Sequence, residues 1–351
     1  MNKTLITKLN GRVANTELLR LGELRITIDK EDSPTAKSRS LDISVRESTP
    51  IEIIGEGYFT DENLSANKGK SMNLSIGKNT IYLSNDNIKL SILNKYTITS
   101  LFCERSDNTQ ASASSKHKHF DLDSLKYCTL LNFLSLSNTS TTGNLSEISG
   151  LTKLTSLYLS GTLVEGDLSS VSGLTLLEAL QLENTPVTGN LSSLSGLTKL
   201  ISLYLRGTKT NGNADLLKCY NATGFYLSNV VFNANAMRAF SKLRTLILYN
   251  SSVSGDLAIL SDNLSLLTVN STTTRTCTWS SRKSSAKIIA MPYYLLTDNI
   301  DKMLQDQAQC QADATSSTKT IVAKGTRTSA SDAAVQTLQS KGYTVTILPA
   351  D

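Results

Sequence analysis

The chain has only two histidines, His117 and His119, and they stand as H-x-H in the segment SASSKHKHF. On a strand that spacing puts both imidazoles on one face, where they could hold a metal. The surroundings argue for a solvated loop instead: Ser and Lys flank the pair, and the carboxylates nearby are Asp121 and Asp123. Gly69-Lys70-Ser71 imitates the end of a phosphate-cradling loop, but Leu64 stands where the first glycine of that loop is required. The five cysteines (Cys103, Cys128, Cys219, Cys277, Cys310) are scattered with no CxxC pair, and they read as buried thiols acting as small hydrophobes. Arg275, Arg282, Lys283 and Lys287 surround Trp279, a segment expected to pack on a cap or face solvent rather than bind nucleic acid. There is no nucleophile elbow, no HExxH and no suggestive carboxylate pair. The expectation is therefore a protein without catalysis, metal or cofactor.

The chemistry left over is that of recognition, and it depends on a repeat. Leu131-x-x-Leu134-x-Leu136 recurs at Leu154, Leu177 and Leu200, each 23 residues on (154 − 131, 177 − 154, 200 − 177). Three residues after the third leucine stands Thr139, Thr162, Thr185 or Thr208, and four further on Gly143, Gly166, Gly189 or Gly212. A period in the low twenties with L-x-x-L-x-L resembles the leucine-rich repeat, whose units run to about 20–29 residues. Threonine replaces that family's usual Asn or Cys, and its hydroxyl can take over part of the backbone bonding there. The unit shortens at Phe225 and Leu227, returns at Leu243-x-x-Leu246-x-Leu248, and ends in a partial unit at Leu267 and Val269. Upstream, Ile98-x-x-Leu101-x-Cys103 fits a first strand, followed by an insertion from Gln110 to His119. One strand per repeat should stack in parallel with its leucines inward, and both ends of such a stack need caps.

The repeat gives the tyrosines an address. The residue between the last two leucines points away from the core: Ser135, Tyr158, Gln181, Tyr204, Tyr226 and Ile247. The next outward column reads Ser137, Ser160, Glu183, Arg206, Ser228 and Tyr249. Four of only 12 tyrosines (Tyr158, Tyr204, Tyr226, Tyr249) thus fall on what would be the concave face. Tyrosine couples a rigid apolar body to a polar tip and suits contact with protein or sugar, though it also suits strand surfaces in general. Tyr158, Gln181, Glu183, Tyr204, Arg206, Tyr226 and Tyr249 are the expected ligand face.

The flanks predict the rest of an α/β-type solenoid. Residues 1–22 form an arm without firm pattern. Residues 23–97 read as a β-rich domain or cap of short strands (LRITID, SLDISV, IEIIGEGYF, SMNLSI, NTIYLS, IKLSIL), and 98–271 as the solenoid. Residues 272–351 read as an α/β cap, with strands at AKIIAM, TIVAKG and YTVTIL and helices at DNIDKMLQDQAQCQ and SASDAAVQTLQSKG. Ser329 or Ser331 would start the second helix and Gly342 would end it.

The 351 residues carry 35 Lys and Arg against 30 Asp and Glu, too mild a surplus to imply nucleic acid. With 39% hydrophobic residues and little net charge, the chain is expected to fold. No apolar run is long enough for a membrane span, and the N-terminus lacks the apolar core of a signal peptide. Sequons at Asn63, Asn73, Asn144, Asn190 and Asn263 are expected to reflect Asn/Ser/Thr richness rather than glycosylation.

TGNLSEISGLTKLTSLYLSGT and GDLSSVSGLTLLEALQLENT resemble repeats in proteins of Bacteroidales bacteria and their crAss-like phages. So do IEIIGEGYF with NTIYLS, and the tail from SAKIIAM to YTVTIL. In a phage the resemblance implies a virion component: a fibre, decoration or tail-associated adhesin. Its N-terminal region would attach to other virion proteins, and its solenoid would face a host-surface protein or glycan, with homo-oligomerisation left open. The alternative is a cytoplasmic bacterial protein that grips another protein on the same face.

Overall fold

The computed structural model describes residues 24–28, 40–54, 59–60, 69, 71–83, 88–92, 98–102, 118–260, 264, 266–270, 276–280, 288–291, 297–309 and 320–349. The arm at 1–22, most of the insertion with His117, and the basic residues Arg275, Arg282, Lys283 and Lys287 lie outside these. The chain divides into two compact units, Met1–Gly166 and Asp167–Asp351.

In the first unit eleven strands are described: β1 Leu24–Ile28, β2 Ser40–Val45, β3 Thr49–Ile54, β4 Phe59–Thr60, β5 Ser71–Leu74, β6 Gly77–Leu83, β7 Ile88–Ile92, β8 Ile98–Phe102, β9 Lys118–His119, β10 Phe133–Ser135 and β11 Ser156–Tyr158. One sheet is antiparallel, in the order β5-β3-β7-β1-β9. The other runs β4-β6-β2-β8-β10-β11, and β8 is where it changes character: antiparallel to β2, parallel to β10. The strand expected from Ile98-x-x-Leu101 is thus the junction between hairpin-type pairing and the stacked repeats.

The second unit begins with alternating short strands: β12 Ala179–Gln181, β13 Thr188–Asn190, β14 Ser202–Tyr204, β15 Lys209–Asn213, β16 Gly224–Ser228, β17 Val230–Asn233, β18 Thr245–Tyr249, β19 Ser252–Asp256, β20 Leu266–Asn270 and β21 Thr276–Thr278. After them come β22 Ile288–Met291, α1 Thr297–Gln309, β23 Thr320–Lys324, α2 Asp332–Ser340 and β24 Thr344–Leu348. The even-numbered strands β12 to β22, then β23 and β24, pair side by side in one parallel sheet. The odd strands β13 to β21 form a second parallel sheet. The strand–helix–strand tail therefore continues the repeat sheet, as its pattern predicts.

The leucine ladder forms the core. Leu134, Leu136, Leu157 and Leu159 in the first unit are fully buried, as are Leu180, Leu182, Leu203 and Leu205 in the second. Each such side chain is worth about 1.5–3 kcal/mol against leaving it in water. Cys128 and Cys219 are buried free thiols, and burial pushes the Cys219 thiol up to about 12. Each accepts the same turn hydrogen bond, through its carbonyl, that Leu151, Leu174 and Leu197 accept in their repeats. They are small hydrophobes in a leucine column.

The turn leaving each strand is built from hydroxyls and left-handed residues. Thr139, Thr162, Thr185 and Thr208, all buried, donate to the carbonyls of Leu136, Leu159, Leu182 and Leu205 at 2.6–2.7 Å. The preceding residue has positive φ and alternates between Asn and Gly: Asn138, Gly161, Asn184, Gly207. In these repeats glycine follows asparagine for a steric reason, because a Cβ on Gly161 would lie 2.5 Å from the Asn138 Oδ1; beyond them Asn250 follows Asn229 and donates to its carboxamide instead. Further on, Gly143, Gly166, Gly189 and Gly212 bend the chain into a short 3₁₀ turn. The amide of its second residue donates to the capping side chain of Asn144, Asp167, Asn190 or Asn213. The carboxamides of sequon residues Asn144 and Asn190 are thus structural, accepting from the amides of Ser146 and Ser192.

At the second helix the expected cap is displaced. Thr328 caps a 3₁₀ turn over Ser329–Ser331, and Ser331 makes no cap bond to α2. Its hydroxyl donates to Asp301, which also accepts from the Thr328 amide and hydroxyl. A buried carboxylate on α1 outcompetes the helix for the serine. Gly342 ends α2 at positive φ, as its position predicts. Trp279 is buried and donates its indole N–H to Asp306 of α1 at 2.9 Å, which makes it a packing residue of the cap.

Candidate functional site

Strands β12, β14, β16 and β18 present alternate side chains on the face away from the leucines, since successive side chains alternate across a strand. In register, Gln181 lies beside Tyr204, Tyr204 beside Tyr226, and Tyr226 beside Ile247. The Tyr204 and Tyr226 rings tilt together at 4.2 Å between centroids. The Tyr204 ring lies across Gly224, a position without a side chain, at a distance where a Cβ would just touch it (3.4 Å).

The second column closes around them. The Arg206 Nε meets the Glu183 carboxylate at 3.3 Å, and the same guanidinium stands over the Tyr249 ring at 5.5 Å. One cation thus joins a carboxylate to an aromatic face. Burial pushes the Glu183 carboxyl above its usual range, with Arg206 pulling the other way. Burial, then the Glu183 charge, raises the Tyr226 phenol, against the opposing pull of Arg206. The phenol stays a neutral donor and acceptor at ordinary pH. Tyr204, Arg206, Tyr226, Tyr249 and Glu183 are all half-buried, so each is held while keeping surface for a ligand.

Of the predicted residues, the second unit brings five together on neighbouring strands, the Tyr204–Tyr226 pair and the Glu183–Arg206–Tyr249 group, and holds Gln181 at the edge, beside Tyr204. Tyr158 belongs to the first unit, where its ring meets Phe133 edge-on at 5.6 Å. Other residues of the outward columns are less open than the pattern predicts. Ser135 and Ser228 are buried, and in register each lies beside a tyrosine, Tyr158 and Tyr249 respectively. Ile247, beside Tyr226, is 8% exposed. Short or apolar side chains beside large rings are overhung by them.

Among the described residues no group of three or more His, Cys, Asp or Glu is placed to hold a metal. His119 lies in β9, opposite Thr27. No described helix is long and apolar enough to cross a membrane.

Neither a family model nor a curated protein sequence matches the chain. Solved structures do. The PEPR1–AtPEP1 crystal structure is 18% identical, covering 72% of this chain and 35% of that one, with a TM-score of 0.50. The LRR ectodomain of the plant membrane receptor kinase GASSHO1/SCHENGEN3 from Arabidopsis thaliana, in complex with CASPARIAN STRIP INTEGRITY FACTOR 2, is also 18% identical. It covers 64% of this chain and 34% of that one, at a TM-score of 0.43. Internalin C2 from Listeria monocytogenes is 19% identical over 50% of this chain and 85% of that one, with a TM-score of 0.34. The chain spans about a third of the length of the receptor chains it matches. The likeness is one of fold: this chain is a leucine-rich repeat solenoid.

Proposed function

We propose that the chain is a non-catalytic recognition protein that grips a protein ligand through the tyrosine face of its second unit. One observation carries this reading. Glu183, Tyr204, Arg206, Tyr226 and Tyr249 form a contiguous, half-buried cluster on the face opposite the leucine core, where packing of the core does not require them. Tyr and Arg are the residue types that dominate binding energy at protein interfaces. Holding them against each other in advance reduces the ordering cost of binding. The fold, a scaffold that presents one variable face per repeat, is consistent with this use.

The finer reading rests on the resemblance to crAss-like phage and Bacteroidales proteins. It makes the chain a virion component (fibre, decoration or tail-associated adhesin) attached through its N-terminal region to other virion proteins. Mass spectrometry of purified particles tests it: absence from virions would leave the cytoplasmic interaction protein as the reading. For the face itself, a Tyr204→Ala/Tyr226→Ala double variant should lose partner capture in a pull-down while its melting temperature stays near that of the parent. Undiminished capture would sink the assignment.

A further inference from the structure

A second outward-facing feature lies in the first unit, where Phe102 holds the repeat position that Tyr204 and Tyr226 hold in the second but is flanked by strands outside the repeat. On β2, Ile43 and Val45 are buried, so Asp42 and Ser44 project to the opposite side. In register, Asp42 lies beside Thr80 and Phe102, and Ser44 beside Lys78 and Ser100. Phe133 of β10 lies beside Ser100. These strands enclose an open cleft of about 280 Å³ lined by Asp42, Ser44, Lys78, Ser100, Phe102 and Phe133. That is just below the range of about 300–1,000 Å³ usual for small-molecule sites, room for one ring and little more.

The lining has three chemistries. Phe102 and Phe133 stack at 6.4 Å with their planes 27° apart, and Phe102 is 38% exposed, so an aromatic face is open to a ligand. Ser44 and Ser100 supply hydroxyls at the floor, each able to donate and accept. Asp42 and Lys78 form an ion pair at 2.6 Å, and Asp42 also accepts from the Thr80 hydroxyl at 2.6 Å. The pair leaves the lining without net charge. A charged ligand would have to compete with that pair for its partner. A neutral polyol can bond around it without breaking it. Its hydroxyls can donate to the remaining lone pairs of Asp42 and accept from Lys78, while one apolar C–H face lies on the electron-rich face of the rings.

From this we infer that the first unit carries a binding site for a single neutral pyranose ring, separate from the tyrosine face and independent of its ligand. The test is saturation-transfer NMR on the full chain with methyl glycosides of glucose, galactose, mannose and N-acetylglucosamine, each at about 10 mM to suit a millimolar site. Sodium glucuronate and N-acetyltyrosinamide serve as charged and peptide-like probes. At least one neutral glycoside should show transfer, strongest at its ring C–H protons. The signal should fall about tenfold in Phe102→Ala and weaken in Ser100→Ala, a variant too small to disturb the fold. It should persist in Tyr204→Ala/Tyr226→Ala. The proposal is overturned if none of the neutral glycosides shows transfer. It is equally overturned if the signal survives both Phe102→Ala and Ser100→Ala, or if either other probe outcompetes the sugars.

Discussion

The two units put aromatic rows on the outward face of parallel strands, and the rows are built differently. In the second unit Tyr204 and Tyr226 close to 4.2 Å and the Glu183–Arg206 pair fills the column beside them, giving a packed ridge. In the first, Phe102 and Phe133 stand 6.4 Å apart with serines beside them and the ion pair further off on β2 and β6, leaving a cleft. The backbone pairing under both is parallel and in register. Outward side chains, together with what flanks the strands, thus decide between ridge and hollow, while the inward leucines stay the same.

Leu157→Ala and Leu203→Ala remove equivalent, fully buried side chains, and each should cost about 2–5 kcal/mol in urea unfolding. A negligible cost in either would mean that the inward ladders are not equivalent. Next in size is the ridge itself: the Tyr204→Ala/Tyr226→Ala variant should weaken partner capture by at least about tenfold, as expected of an interface hot spot. Smaller again are the turn hydroxyls. Thr162→Val and Thr185→Val each delete a buried donor to a leucine carbonyl and should destabilise by about 1 kcal/mol, alike in the two units.

The smallest effect concerns charge. Glu183, raised by burial above its ordinary 4.5, contributes stability that is fully present below that value and is lost as pH rises through its folded one. Followed by carboxyl NMR, it should titrate above 4.5, and higher still in Arg206→Gln, because Arg206 is the group that holds it down. A downward move in that variant would mean that the Glu183–Arg206 pair does not form in solution.

The period, the inward leucines, the threonine turns and the strand–helix–strand tail were legible in the sequence because each repeats or alternates at a fixed spacing. The second parallel sheet was not. Thr188-Gly189-Asn190 has poor strand propensity, and it becomes a strand only because β15 stacks beside it. The ridge could be read because Tyr204 and Tyr226, like Glu183 and Arg206, occupy matching places in successive units. The cleft could not: Asp42, Lys78, Phe102 and Phe133 come from four separated segments, and antiparallel register at β2 and β6 leaves no period to count. The burial of Ser135 and Ser228 was equally hidden, since it depends on the size of the neighbouring side chain.

The alternation of Asn and Gly at the left-handed turn position has a genealogical consequence. Within each unit an asparagine carboxamide occupies the room that the following glycine leaves open, so two such repeats make one interlocking tile. The sequence carries the same doubling: LTKLTSLYLSGT, with Leu154, returns as LTKLISLYLRGT, with Leu200, 46 residues later (200 − 154). The heritable module is then a pair. Gain or loss of one tile keeps the steric rhyme intact and returns a Ser-Leu-Tyr strand to its old neighbours. Where like does meet like, at Asn229 and Asn250, the spacing has shortened to 21 residues and the Asn250 carboxamide donates to that of Asn229.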